Sequence, residues 1–267
     1  MPELPEVETV RGQLDKELRG EEIGKVEVRD RKVFEGKEKG LIGEKIKKIR
    51  RVGKYLFMYF ESGRGLAMHL KMTGRLVVDD KWYKDAKHTR VVVTMKSGRK
   101  LYYWDTRKFG YLRIESGIEK VEKKIREKLG PEPWKIEKEA LLGRFKKTGR
   151  TVKDTILDQS VIAGVGNIYA NDGLWKSGIS PHRKARSLSL KEVGKLLASL
   201  RAVMERGLRT GGASDNSYLD AYGKKGSYQE EFLTYGKTKG ECKKCGRKLT
   251  NEKIGGRGTW WCESCQV

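Results

Sequence analysis

Pro2 and Glu3 are the residues from which chemistry can first be argued. Pro2 directly follows Met1, and an initiator methionine before so small a residue is ordinarily removed. The mature chain would then begin with a secondary amine, a nucleophile only an N-terminal proline offers, with the Glu3 carboxylate beside it. A free α-amine titrates near pH ~8, so a neutral, attacking fraction exists at pH 7. The residues that follow must position this pair. Pro5 suits the first position of a helix, and Glu6 and Glu8 suit its first turn. Val7, Val10, Leu14 and Leu18 recur at helical spacing. The positive end of that helix would point back at the amine and disfavour its protonation. Taken alone, the same octapeptide also describes a well-capped surface helix without catalysis.

The second cluster is made of sulfur. All four cysteines fall in the last 26 residues, as Cys242-Lys243-Lys244-Cys245 and Cys262-Glu263-Ser264-Cys265, sixteen residues apart. That spacing fits a tetrahedral four-thiolate zinc site rather than a disulfide framework. Residues 248–254 and 258–261 would form a two-stranded ribbon joined around Gly255-Gly256, with Arg257 near its tip, where a planar cation can reach a phosphate. Four protein ligands close the coordination shell, so such a zinc is structural.

Around these clusters lies a chain of 267 residues with 59 Lys+Arg against 36 Asp+Glu, a formal charge of +23. An excess of that size is the electrostatic footprint of a nucleic-acid binder. Neither an apolar signal core nor a run of 18 apolar residues occurs, which predicts a cytoplasmic protein. Residues 20–115 read as short strands with glycine punctuation, among them 46–52, 55–60, 66–70, 90–95 and 100–104, consistent with a β-sandwich or barrel. Composition shifts near residue 117. Helices are predicted over 119–129, 137–147, 152–159, 167–177 and 189–206, with a breaker at Gly130-Pro131-Glu132-Pro133. Val193, Leu196, Leu197, Leu200, Val203 and Met204 trace a core-facing stripe on the last helix. Residues 207–226 read as a long, mobile loop.

Five stretches together carry a resemblance: Pro2-Glu3-Leu4-Pro5-Glu6-Val7-Glu8-Thr9-Val10, His69-Leu70-Lys71-Met72-Thr73-Gly74, Asp105-Thr106-Arg107-Lys108-Phe109-Gly110, Gly164-Val165-Gly166-Asn167-Ile168-Tyr169-Ala170, and the ribbon ending Cys265-Gln266. In this order and spacing the chain resembles the bacterial formamidopyrimidine-DNA glycosylases, of the formamidopyrimidine/endonuclease VIII family, which remove oxidised purines such as 8-oxoguanine from duplex DNA. The resemblance implies an α+β fold: an N-terminal β-sandwich catalytic domain over residues 1–117, a linker over 118–136, a helix–two-turns–helix domain with a lesion-capping loop over 137–236, and a zinc finger over 237–267. One structural Zn2+ on Cys242, Cys245, Cys262 and Cys265 is implied, as is a monomer acting on DNA with oxidised bases or abasic sites.

Carried over residue by residue, the resemblance makes Pro2 the nucleophile toward the anomeric carbon of the damaged nucleotide. Glu3 becomes a general acid toward the sugar ring oxygen, or a manager of the proton on Pro2. Lys54 matches a proton donor in elimination, and Arg257 a phosphate-binding arginine tied to the δ step. His88, Arg107, Arg150 and Asn167 match DNA-binding positions, although Asn167 also suits the cap of its own helix. Met72, Arg107 and Phe109 match the residues that fill the gap left by a flipped nucleotide, whereas apolar character alone would place Met72 and Phe109 in a core. His69 reads as local support.

Two departures stand out. Asp172 replaces the family glutamate, which bears on a local helix contact. Ser214-Asp215-Asn216-Ser217-Tyr218 lies in the variable, base-capping part of loop 211–228, and so bears on lesion preference. A sister type preferring oxidised pyrimidines tends to begin Pro-Glu-Gly-Pro-Glu, and Leu4 occupies the glycine's place here. A more distant alternative is a zinc-ribbon protein that binds DNA by charge without catalysis.

Overall fold

Glu3 starts the first helix by exchanging hydrogen bonds with Glu6: each side chain accepts from the other's backbone N–H, which satisfies two donors a helix end otherwise leaves unpaired. Helix α1 (Leu4–Leu18) buries Val7, Val10, Leu14 and Leu18. The computed structural model describes residues 1–267 except Asp85, Asn216, Thr238 and Lys239. Among the described residues, strands follow at β1 (Ile23–Val28), β2 (Phe34–Glu35), β3 (Ile46–Val52), β4 (Tyr55–Phe60), β5 (Gly65–His69), β6 (Arg75–Val78), β7 (Thr89–Met95), β8 (Lys100–Trp104) and β9 (Tyr111–Glu115). They form two sheets, ordered β1-β7-β8-β6 and β2-β9-β5-β4-β3.

The period of two along each strand decides which side chains meet. Val91 and Val93 of β7 face Tyr103 and Leu101 in the ladder and join one core with Ile49, Met58, Leu66 and Met68 of the other sheet and with α1. Between them Val92 points the other way, into an outer cluster with Val77, Tyr83, Tyr102 and Trp104. A β-sandwich results, as expected. Helix α2 (Ile118–Lys128) closes one side: Ile118 and Glu122 are buried, Tyr59 donates to Glu122, and a Cβ on Gly65 would meet Ile118 at 2.7 Å.

By contacts the chain divides into two units: Met1–Glu127 with Gly207–Gln229, and Lys128–Arg206 with Glu230–Val267. Two parts differ from the domain reading of the sequence. Residues 118–127 pack with the sandwich instead of linking, because Ile118 and Glu122 find partners there. Residues 207–229 return to the sandwich unit instead of staying with the helices, because α1 offers them hydrogen-bond partners.

The second unit contains α3 (Lys138–Lys146), α4 (Val152–Leu157), α5 (Asn167–Ser177) and α6 (Leu190–Arg209), whose final residues lead into the first unit. Thr151 caps α4 by accepting the Asp154 N–H at 3.0 Å. α4 ends two residues before the predicted 159, where Asp158 accepts instead from the Ser160 N–H at 2.9 Å. The predicted stripe on α6, from Val193 to Met204, is buried. The C-terminal hairpin β10 (Thr250–Ile254) and β11 (Arg257–Trp261) pairs from Thr250 opposite Trp261 to Ile254 opposite Arg257, across Gly255 and Gly256 at positive φ. Among the described residues no helix is long and apolar enough to cross a membrane.

Candidate active site

Pro2 and Glu3 are both buried at the head of α1, and Glu3 is only 2% exposed. Glu6 holds this corner: one carboxylate oxygen accepts the Glu3 N–H at 2.7 Å and the other the Ala213 N–H at 2.8 Å. Through Glu6, the amino-terminal pair and the loop at 213 share one anchor. Gly212 permits it, with φ +90° and room for no Cβ, which would lie 2.8 Å from Glu6 Cγ. Lys54 follows Gly53 (φ +57°) in the turn between β3 and β4 and is 7% exposed. Its neighbour Tyr55 pairs across the ladder with His69, the rings meeting edge to face at 4.6 Å. Burial, with Lys71 and Lys54 adding to it, pushes the His69 pKa down to about 3. His69 is therefore neutral, and its Nδ1 accepts the Lys71 N–H at 3.0 Å.

Met72 and Phe109, apolar residues that composition alone would bury, are 38% and 52% exposed, and the Arg107 guanidinium lies 4.6 Å from the Phe109 ring centre. What presents them is Asp105, fully buried. It accepts from the Thr73 hydroxyl, from Tyr103 OH at 3.1 Å, and from the Arg107 and Gly110 N–H groups at 3.1 and 3.0 Å. One carboxylate thus ties the turn after β5 to the loop after β8. His88 is joined to the same loop, its carbonyl accepting the Asp105 N–H at 3.0 Å, and its ring stands edge-on to Trp104 at 5.6 Å.

In the second unit, Asn167 opens α5, but its side chain does not cap that helix; the N-cap is Gly166. The Asn167 amide instead donates to the Gly258 carbonyl at 3.0 Å. Lys153 donates to the same carbonyl at 2.8 Å and to the Thr259 hydroxyl at 2.6 Å, while Asn171 accepts the Trp260 N–H at 2.9 Å. Three side chains of the helical core thereby hold β11 directly beside the exposed Arg257. Arg150, on the surface, is ion-paired with Asp158 at 2.7 Å. Asp172 does more than the local helix contact expected of it. Fully buried, it accepts the N–H groups of Leu233, Thr234 and Tyr235 at 3.1, 2.8 and 3.1 Å, fixing the segment that leads to the finger.

The thiols of Cys242, Cys245, Cys262 and Cys265 lie within 4.8 Å of one another, with the Cys245 and Cys262 sulfurs 3.6 Å apart. A zinc with ~2.3 Å bonds to sulfur asks for tetrahedral edges of this size. The four cysteines hold one structural zinc, and Trp175 Nε1 donates to Cys242 Sγ at 3.3 Å, a hydrogen bond of the kind that orients a metal ligand.

Of the predicted residues, Pro2, Glu3, Lys54, Met72, His88, Arg107 and Phe109 belong to the first unit, and Arg150, Asn167, Arg257 and the cysteines to the second. Asn216, in the variable part of the capping loop, lies outside the described residues. Sequence reasoning did not single out Asp105, Lys153 or the anchoring role of Glu6. An acid before Arg107 and a lysine in an apolar helical stretch were the available signals.

Lys153 carries a pH prediction. Its burial lowers the pKa from 10.5 to about 7. Between these values the unfolded chain holds a proton that the folded chain has released, so this group's contribution to stability rises as pH climbs from about 7 toward 10.5. Lys153→Met should remove that rise from the unfolding transition of the second unit, followed by denaturant titration across this range. An unchanged slope would contradict the assignment.

The chain is strongly cationic, buries Pro2 beside the Glu3 carboxylate at the head of α1, and carries a four-thiolate finger. Residues 1–112 match the formamidopyrimidine-DNA glycosylase N-terminal domain, 129–218 its H2TH domain, and 240–267 the zinc finger found in FPG and IleRS. A formamidopyrimidine-DNA glycosylase of Desulfitobacterium hafniense is 39% identical over 277 residues, covering all of both chains. That of Bacillus subtilis is 36% identical over 275 residues, covering 100% of this chain and 99% of its own. Lactococcus lactis FPG is similar in structure, both as a variant bound to Fapy-dG-containing DNA (TM-score 0.91) and with abasic-site DNA (TM-score 0.90), at 32% identity over 99% of each chain. The chain belongs to the formamidopyrimidine-DNA glycosylase family.

Proposed function

We propose that this chain is a bifunctional DNA glycosylase/AP lyase of base excision repair that excises oxidised purines, 8-oxoguanine and formamidopyrimidines, from duplex DNA. The observation that carries the reading is the buried Pro2-Glu3 pair at the positive end of α1. With Met1 removed, the Pro2 nitrogen attacks the anomeric carbon, and the bond to the base breaks. The sugar ring then opens at its C1′–O4′ bond, the ring oxygen taking a proton, and the iminium left on the secondary amine carries a fixed positive charge, which acidifies the sugar's 2′ hydrogens and drives β- and then δ-elimination. Glu3 supplies or receives the proton at the sugar ring oxygen or at Pro2. Lys54 serves as proton donor in elimination. Arg257, always protonated, suits phosphate binding better than proton donation.

Binding follows the charge. Arg257 and Asn167 take phosphates, and His88, Arg107 and Arg150 bind DNA, Arg150 exchanging its Asp158 partner for it. Met72, Arg107 and Phe109 fill the space of the extruded nucleotide and recover part of the lost stacking. The protein works as a monomer in the bacterial cytoplasm, on nucleoid DNA. Single-turnover excision on matched duplexes, one with 8-oxoguanine opposite cytosine and one with an oxidised pyrimidine, tests the substrate class. Faster release of 8-oxoguanine is expected; the reverse order would assign the chain to the pyrimidine type.

A further inference from the structure

Two residues tie the loop over residues 213–221 to the Met72 turn. The loop is pinned at both ends to α1: Ala213 to Glu6, and Ala221, whose N–H donates to Gln13 Oε1 at 2.8 Å. Tyr218 is buried between these anchors, and Ser214 donates to its carbonyl at 2.9 Å. Ser217 then donates its hydroxyl to the Met72 carbonyl at 3.0 Å, while Arg75 Nε donates to the Ser217 carbonyl. Arg75 is itself held from two sides, its guanidinium 4.2 Å from the Trp104 ring centre and hydrogen-bonded to Tyr83 OH at 3.3 Å. It is also the first residue of β6, three residues beyond Met72 and paired with Trp104 in the ladder. Ser217 is therefore gripped at both its hydroxyl and its carbonyl by the segment that presents Met72.

We infer that Ser217 and Arg75 are positioning residues that couple base capture to gap filling. This rests on the reading of Met72 as gap filler and of the loop as base cap. Displacement of the Met72 carbonyl as its side chain enters the stack moves Ser217, and with it the backbone that meets the extruded base. A base that fails to seat the loop in turn withdraws the wedge. Discrimination then depends on one hydrogen bond and one cation, neither of which touches the reacting atoms.

The test uses the zinc-loaded full chain and a duplex carrying 8-oxoguanine opposite pyrrolocytosine, whose fluorescence follows wedge entry. Ser217→Ala and Arg75→Met should slow both the fluorescence change and base release by about five- to tenfold, the scale of one hydrogen bond. Strand cleavage at a preformed abasic site, which has no base to cap, should be unaffected, and Ser217→Thr should restore both rates. Slowed base release with an unaltered fluorescence change would overturn the coupling, as would wild-type rates in both. Met72→Ala separates the underlying reading: if it leaves the fluorescence change intact, Met72 is not the wedge and the coupling falls with it.

Discussion

Replacing Pro2 by glycine is expected to lower the rate of base release by on the order of 10³-fold while leaving affinity for lesion-containing duplex within about twofold of the parent. Losses of this order follow removal of a nucleophile from an otherwise intact site. Glycine still permits removal of Met1 and still offers an amine, but a primary one with a freely turning backbone. The proline ring holds its nitrogen in one direction beside Glu3, and the Glu3–Glu6 exchange of hydrogen bonds holds Glu3. Binding should survive because the proposed DNA contacts at Arg257, Asn167, His88 and Arg107 stand on other elements. Single-turnover kinetics and a binding isotherm on the same duplex decide the matter. An equal loss of rate and affinity would make Pro2 a structural residue.

Removing zinc should have the opposite signature. A structural zinc contributes about 10 kcal/mol or more to the fold of a small finger, far more than the two-stranded hairpin β10–β11 can supply alone. Chelation should therefore release the strand that Lys153, Asn167 and Asn171 grip at Gly258 and Trp260, and with it Arg257. DNA affinity is expected to fall by at least about 100-fold, since the loss of one arginine–phosphate contact is joined by that of the surface presenting it. The sandwich unit has its own core of α1 and two sheets and should keep its unfolding transition. Undiminished affinity in the stripped protein would end this account of the finger.

Much of this architecture was legible because its signals are local. Cysteine spacing and the glycine pair at the ribbon tip depend on neighbours in sequence, and the apolar stripes of α1 and α6 report their buried faces directly. Long-range pairing was not legible. Nothing in the polar stretch 207–226 announces that Ala213 will donate to Glu6, 207 positions away, so the stretch read as a mobile loop of the helical domain. Met72 and Phe109 show the reverse problem, since apolar type predicts burial and only the Asp105 network explains why they stand exposed. Asp172 read as bearing on a local helix contact, whereas its carboxylate accepts three backbone N–H groups of a segment some sixty residues away.

The central claim is that the Pro2 nitrogen forms the covalent bond to DNA. Borohydride reduction during turnover of a duplex with one 8-oxoguanine opposite cytosine, followed by mass spectrometry of the N-terminal peptide, tests it most directly. A DNA adduct is expected on Pro2 of a chain that has lost Met1. A chain that begins at Pro2, cleaves the duplex and yields no adduct there, or yields one on Lys54, would contradict it.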